Sequence, residues 1–167
     1  SIVGILYAGD KKISDPFERL LHTALALFMV EYSLAMTLIE RKIHPDFVLG
    51  ASFGEFTAAA VSKAITVEEL LAGILKHVKI VEQKCATGGM LAVLHDKKLY
   101  YDHAALNERS QLASINFHSH FVVSGTKDNL KEIENFLKGK EIAYQILPIS
   151  YPFHSSLVDP VRQEHCA

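Results

Sequence analysis

The chain has 167 residues, 49% of them apolar and 22% charged, with a formal net charge of −2 and a pI near 6.5. That balance describes a soluble globular chain of one domain with room for a subdomain, and it carries no basic tract, basic and aromatic interleaving or low-complexity tail of the kind that binds nucleic acid. Cys85 and Cys166 lack C-x-x-C spacing and no secretory signal precedes them, so a reducing, cytoplasmic setting is expected.

An apolar run at residues 2–7 opens the chain, and a polar turn through Asp15 and Pro16 follows. Residues 17–42 have the composition of a long helix with apolar side chains on most faces. Its most apolar part, 20–39, is interrupted by His22, Glu31 and Tyr32, which predicts a buried core helix rather than a membrane span. Pro45 ends the helical stretch.

Residues 46–55 read DFVLGASFGE. Phe47, Val48 and Leu49 form a buried-strand run, Gly50 and Gly54 permit a sharp turn with close approach of strand and helix, and 56–64 is rich in helix formers. Ser52, central in G-x-S-x-G, is therefore expected at a strained strand-to-helix corner, a nucleophile elbow. Its hydroxyl would be exposed at a helix start, where backbone N–H groups can stabilise an oxyanion. The competing reading is a glycine-flanked helix cap; the strand read before the motif and the helix after it favour the elbow. Glu55 is expected to anchor the helix start electrostatically and not to act as a catalytic acid.

Thr66 and Glu69 form a capping box that opens a helix over 67–85. Beyond Gly88 and Gly89 the pattern gives a strand at 90–95, a helix at 97–107, strands at 112–117 and 121–125, a helix at 127–138 and a strand at 142–147. This β-α-β-β-α-β order predicts a ferredoxin-like unit inserted into an α/β chain. The chain leaves it through Pro148 into ISYPFHSSLVDP, residues 149–160, a proline-bounded loop presenting His154. The resulting division is 1–88 as part of the α/β core, 89–148 as the ferredoxin-like subdomain and 149–167 as the return to the core. The nine histidines are scattered, and the close pair His118 and His120 has no carboxylate or cysteine set nearby, so no metal site is expected. Cys85 reads as a small buried apolar residue rather than a second nucleophile.

Three segments in order resemble the malonyl-CoA:acyl-carrier-protein transacylases and the acyltransferase domains of fatty-acid and polyketide synthases. GASFGEFTAAAVSKAITVEELL resembles their G-x-S-x-G-E segment with its following helices, INFHSHFVVSG their small-subdomain strand pair, and YPFHSSLVDP their active-site histidine segment. The likeness runs over nearly the whole chain. It implies an α/β fold, with an α/β-hydrolase-like core bearing the elbow and an inserted ferredoxin-like subdomain. It further implies Ser52 as the acylated nucleophile, His154 as its general base and the backbone N–H of Phe53 as an oxyanion donor. Serine is a weak nucleophile at its ordinary pKa, so an imidazole must take its proton and later activate the incoming thiol. In this family backbone and amide oxygens orient the histidine, so no triad acid is sought. The implied substrates are a coenzyme A thioester and the phosphopantetheine thiol of an acyl carrier protein. No bound cofactor, nucleic acid or membrane partner is implied, and other modules of a synthase are the expected neighbours.

Several positions depart from the pattern. Where malonyl-using members carry an arginine that pairs with the substrate carboxylate, a gap-free count reaches His77, which cannot form the same planar fork; Lys76 or Lys79 could supply only a point charge. Ala51 stands where many members have histidine, leaving the entrance more open. Phe153 resembles the malonyl type of histidine segment and Tyr151 the methylmalonyl type. Asn116 falls near where the family places polar groups at the cleft, although an asparagine ending a strand is also a turn former. The family's G-Q-G-S-Q loop has no counterpart after Ser1, and the chain stops 13 residues past His154, so it is expected to be the middle of a larger domain. Acyl transfer to a carrier is the leading expectation. An acyl hydrolase releasing stalled acyl groups shares its first half reaction, and a non-catalytic carrier-docking module would keep only the fold. An ordinary esterase would need Asp96, Asp102 or Asp128 as its acid, but the β-α-β-β-α-β insert does not suit that sheet.

Overall fold

The computed structural model of the chain describes residues 2–7 and 19–161. The expected turn at Asp15 and Pro16, the first residues of the expected long helix and Cys166 lie outside the described residues. The chain divides into two compact units, Ser1–Lys79 and Ile80–Ala167.

In the first unit the opening apolar run is helical, α1 at Ile2–Leu6, and α2 follows at Leu20–Glu40. Helix α3 spans Gly54–Val61, and α4, Val67–Lys84, begins here and runs past the unit boundary. Ala24 and Phe28 of α2 pack with Ala60 of α3 and with Leu70, Ile74 and Val78 of α4. The predicted capping box is formed: the Glu69 amide donates to Thr66 Oγ1 at 3.2 Å, and the Thr66 amide donates to Glu69 Oε2 at 3.2 Å.

Two expectations for this unit are corrected. Helix α2 is long and apolar enough to cross a membrane by length and composition, yet it is not a fully buried core helix: only Ala24, Ala26 and Phe28 are buried. Leu27, Val30, Leu34 and Leu38 recur every three or four residues and form an exposed stripe, because α3 and α4 cover a single face. Residues 46–50 form no strand and join no sheet, and Phe47 and Leu49 are 94% and 98% exposed. A strand is made by its partner, and no segment in the described part of this unit pairs with this one.

The second unit is built on a four-stranded antiparallel sheet of β1 (Gly89–Val93), β2 (Gln111–Phe117), β3 (His120–Gly125) and β4 (Tyr144–Ile146), in the order β2-β3-β1-β4. Helix α7, Lys127–Gly139, is capped by Thr126. The helix expected at 97–107 is broken into α5, Lys98–Asp102, and α6, Ala104–Asn107. His103 between them is extended and its carbonyl accepts from the amides of Leu106 and Asn107, so it starts a new helix instead of continuing the old one. Alternation along the strands separates two layers. Leu91, Val93, Phe121 and Val123 meet Leu99, Leu106, Ile133 and Leu137 of the helices. Met90, Ala92 and Val122 point to the opposite face, where Leu147, Ile149 and Phe153 cover them. The segment bearing His154 is thereby fixed to the sheet face opposite the helices.

Two features of this fold are testable. Helices α2, α3 and α7 end in paired backbone bonds of the Schellman type: Ile43 to Leu38 with Lys42 to Ile39, Ala64 to Ala59 with Lys63 to Ala60, and Ile142 to Leu137 with Glu141 to Lys138. Lys42, Lys63 and Glu141 occupy the left-handed position at φ of 66°, 61° and 56°, where glycine carries no Cβ penalty. Glu141→Gly should therefore stabilise the protein by about 0.5–1 kcal/mol in denaturant titration, after the extra freedom of the unfolded chain is subtracted. Glu134 accepts from the Tyr144 hydroxyl at 2.7 Å and from Lys138 and Lys131 at 3.0 and 3.1 Å, which together hold its carboxyl at a pKa of about 2. Because the folded pKa lies below the unfolded one, the stabilisation is fully present above the ordinary carboxylate range and is lost as pH falls towards 2. Unfolding midpoints measured over that interval should drop less steeply in Glu134→Gln than in the unmodified protein.

Candidate active site

Residues 50–54 make the turn the G-x-S-x-G spacing predicts. Ser52 is exposed and its backbone is left-handed, with φ of 54°, a conformation a serine adopts only at some cost. The Gly54 amide donates to the Ala51 carbonyl at 3.0 Å and the Glu55 amide to the Ser52 carbonyl at 3.2 Å, so the chain passes from the corner directly into α3. The two glycines are not equivalent. A Cβ on Gly50 would overlap the backbone of Gly54 and Glu55, whereas one on Gly54 would meet nothing nearer than Glu31 Oε2 at 4.0 Å.

A groove of about 520 Å³ beside the elbow is lined by Val48, Leu49, Gly50 and Ala51, with Glu31 and Thr57 among its polar groups. Ala51 is exposed. Phe53 packs on Phe56 at 5.1 Å between ring centroids, and Phe56 packs on the His77 ring of α4 at 6.3 Å. His77 is thus one aromatic ring removed from Phe53.

In the second unit His154 is exposed and also left-handed, with φ of 59°. The turn around it is pinned on both sides. The Gly88 amide donates to the Ser150 carbonyl at 2.9 Å, and a Cβ on Gly88 would meet Gly125 O at 2.6 Å and the Pro152 ring at 2.9 Å. After the histidine, the buried Ser155 hydroxyl donates to the Pro152 carbonyl at 2.5 Å. Gln111 of β2 then makes a two-point contact, donating to Ser156 Oγ at 2.6 Å and accepting from the Ser156 amide at 2.8 Å. Tyr151 and Phe153 have centroids 6.1 Å apart, and burial pushes the Tyr151 phenol up, with Glu82 and Cys85 adding to the effect. Burial also pushes the Cys85 thiol up, which keeps it protonated and unreactive. Asn116 is the extra residue of a bulge between Ile115 and Phe117, and its amide lies 3.1 Å from His120 Nδ1.

Each unit therefore carries part of the expected constellation: Ala51, Ser52, Phe53 and His77 in the first, Asn116, Tyr151, Phe153 and His154 in the second. Glu31 and Gln111 escaped the sequence reading. Glu31 left a weak signal, a lone carboxylate within an apolar helix; Gln111 left none, since its partner lies 45 residues away. Among the described residues no group of three or more His, Cys, Asp or Glu side chains is placed to hold a metal ion.

The sequence profile of the acyl transferase domain family matches residues 1–167. The chain belongs to the acyl transferase domain family. It is 47% identical over 165 residues to a Bacillus velezensis polyketide biosynthesis acyltransferase homolog, BaeD, covering 99% of this chain and 51% of that protein. The same figures hold for the homolog PksD of Bacillus subtilis. The chain thus spans about half the length of these curated relatives. Among solved structures, the acyltransferase domain from module 8 of the salinomycin polyketide synthase superposes with a TM-score of 0.83 at 27% identity, over 98% of this chain and 38% of that one. A loading acyltransferase from the avermectin synthase gives 0.79 at 26%, over 98% and 52%.

The unequal roles of the elbow glycines give a direct prediction for this acyl transferase chain. Gly50→Ala should cost at least about 2 kcal/mol in chemical denaturation or prevent folding, because backbone must shift to admit the methyl group, while Gly54→Ala should stay within about 1 kcal/mol of the parent.

Proposed function

We propose that the protein is a serine-dependent acyltransferase of polyketide or fatty-acid biosynthesis, moving a malonyl-type or other short acyl group from coenzyme A to an acyl carrier protein through an acyl-Ser52 intermediate. The observation that carries this reading is the left-handed, exposed Ser52 placed two residues ahead of the first residue of α3. In the first half reaction Ser52 Oγ attacks the thioester carbonyl as its proton passes to His154, and the Phe53 N–H stabilises the resulting oxyanion. Collapse of the tetrahedral intermediate breaks the carbon–sulfur bond, and coenzyme A leaves with the proton from His154. In the second, the phosphopantetheine thiol yields its proton to His154 and attacks the acyl-serine, regenerating the hydroxyl. No metal or redox group has a role in these steps.

Ala51, His77, Asn116, Tyr151 and Phe153 are the proposed substrate contacts. The core of the proposed domain is α/β-hydrolase-like, and residues 1–88, 89–148 and 149–167 supply its elbow portion, small subdomain and return segment. Carrier protein, acyl-CoA and neighbouring synthase modules are the partners, in the cytoplasm, with no nucleic acid or membrane involved. A second reading, an acyl hydrolase, is supported by the packing of His77 on Phe56, which offers no guanidinium to a free carboxylate, and by the small, exposed Ala51, which leaves room for water. A non-catalytic docking module is disfavoured by the strain retained at Ser52.

Mass spectrometry of the intact full-length protein after incubation with malonyl-CoA or acetyl-CoA, with Ser52→Ala as control, tests this. A single acyl adduct that is lost in Ser52→Ala and discharged by a carrier protein is expected. An adduct that decays in water without a carrier would favour the hydrolase, and no adduct from either donor would favour the docking module.

A further inference from the structure

We infer that Glu31 is a positioning residue for the nucleophile elbow: by accepting a hydrogen bond from Thr57 it ties the first turns of α3 to α2 and so helps hold Ser52 in its left-handed conformation. The inference rests on the proposed role of Ser52. A serine at φ of 54° stays there only if its surroundings over-determine the backbone. The local bonds from Gly54 to Ala51 and from Glu55 to Ser52 are made within the corner and travel with it, so they cannot orient it against the rest of the unit. Anchorage must come from outside the turn.

Two kinds of contact supply it. Phe53, Phe56 and Ala60 pack against the cluster formed with α2 and α4. Such packing sets how closely α3 approaches but is non-directional, so it resists rotation of the helix about its axis only weakly. The bond from Thr57 Oγ1 to Glu31 Oε2 is directional, 2.7 Å long, made to a charged acceptor and partly buried, and it spans 26 residues of sequence. Thr57 itself is buried. The same carboxylate oxygen would lie 4.0 Å from a Cβ on Gly54, so it runs alongside the first turn of α3, where the helix end is positive. Between Leu20 and Ile39 the sequence has no other Asp, Glu, Lys or Arg, and Glu31 is half-buried.

The test is the reactivity of Ser52 towards a fluorophosphonate probe in the full-length protein, resolved into the limiting inactivation rate and the half-saturating probe concentration. Thr57→Val keeps the shape and removes the donor, Thr57→Ser keeps the donor, Glu31→Gln keeps an acceptor, and Glu31→Leu removes it. Thr57→Val and Glu31→Leu should slow the limiting rate by about 10-fold or more with half-saturation unchanged, while Thr57→Ser and Glu31→Gln stay within about 3-fold. If Glu31→Leu does not fold, the threonine pair decides alone. A Thr57→Val protein labelled at the parent rate, or equal losses in Thr57→Val and Thr57→Ser, would overturn the inference while leaving the acyl-serine reading intact. Labelling that persists in Ser52→Ala, or no labelling of the parent, would instead remove the proposed role of Ser52 and this inference with it.

Discussion

The left-handed backbone at Ser52 is the constraint on which the first unit depends. A serine pays for that conformation, and the structure offsets the cost by removing every easier path for the chain. Gly50 lets the incoming segment lie against the backbone of Gly54 and Glu55, which no side chain at that position would allow. Helix α3 starts at once, so its first amides are committed near the serine. Phe53 and Phe56, partly buried, pack against the cluster in which Ala24 and Phe28 of α2 meet Ala60 of α3 and Leu70, Ile74 and Val78 of α4. The helices are secondary to the corner in this sense: their packed faces are those that restrain residues 50–57.

The second unit solves a similar problem for His154. Here too a side chain with a Cβ is held at positive φ, at a turn whose flanks are tied to the sheet. Gly88 admits the Pro152 ring, Ser155 closes the turn on Pro152, and the Gln111 amide meets the hydroxyl and the backbone N–H of Ser156. On the sheet face of Met90, Ala92 and Val122 the return segment packs Ile149 and Phe153, the latter partly buried, while leaving His154 exposed. On the proposed reading, side chains presented from restrained turns would lose little conformational entropy on meeting a substrate.

Much of this was legible in the sequence, for identifiable reasons. The Gly88-Gly89 break and the apolar runs beyond it show the order of the small sheet unit, and the glycine spacing shows the corner at Ser52, because both are local signals. The misread features are non-local. Residues 46–50 have strand composition, but pairing is set by a neighbour rather than by the residues themselves. Helix α2 is apolar on most faces, and which face is buried depends on where α3 and α4 pack. The break at His103 lies within a helical pattern that composition alone continues. The left-handed helix ends at Lys42, Lys63 and Glu141 lack the glycine that would announce them. Glu31 and Gln111 act on partners 26 and 45 residues away, which no local pattern encodes.

The central claim is that Ser52 and His154, carried on different units, work as one nucleophile and base. A crystal structure of the full-length protein with a phosphonate bound to Ser52 tests it most directly. The account predicts a His154 ring nitrogen at about 2.6–3.2 Å from the serine oxygen or the leaving-group position. A structure in which the phosphonate is bound but another side chain occupies that place, with His154 turned away, would contradict it.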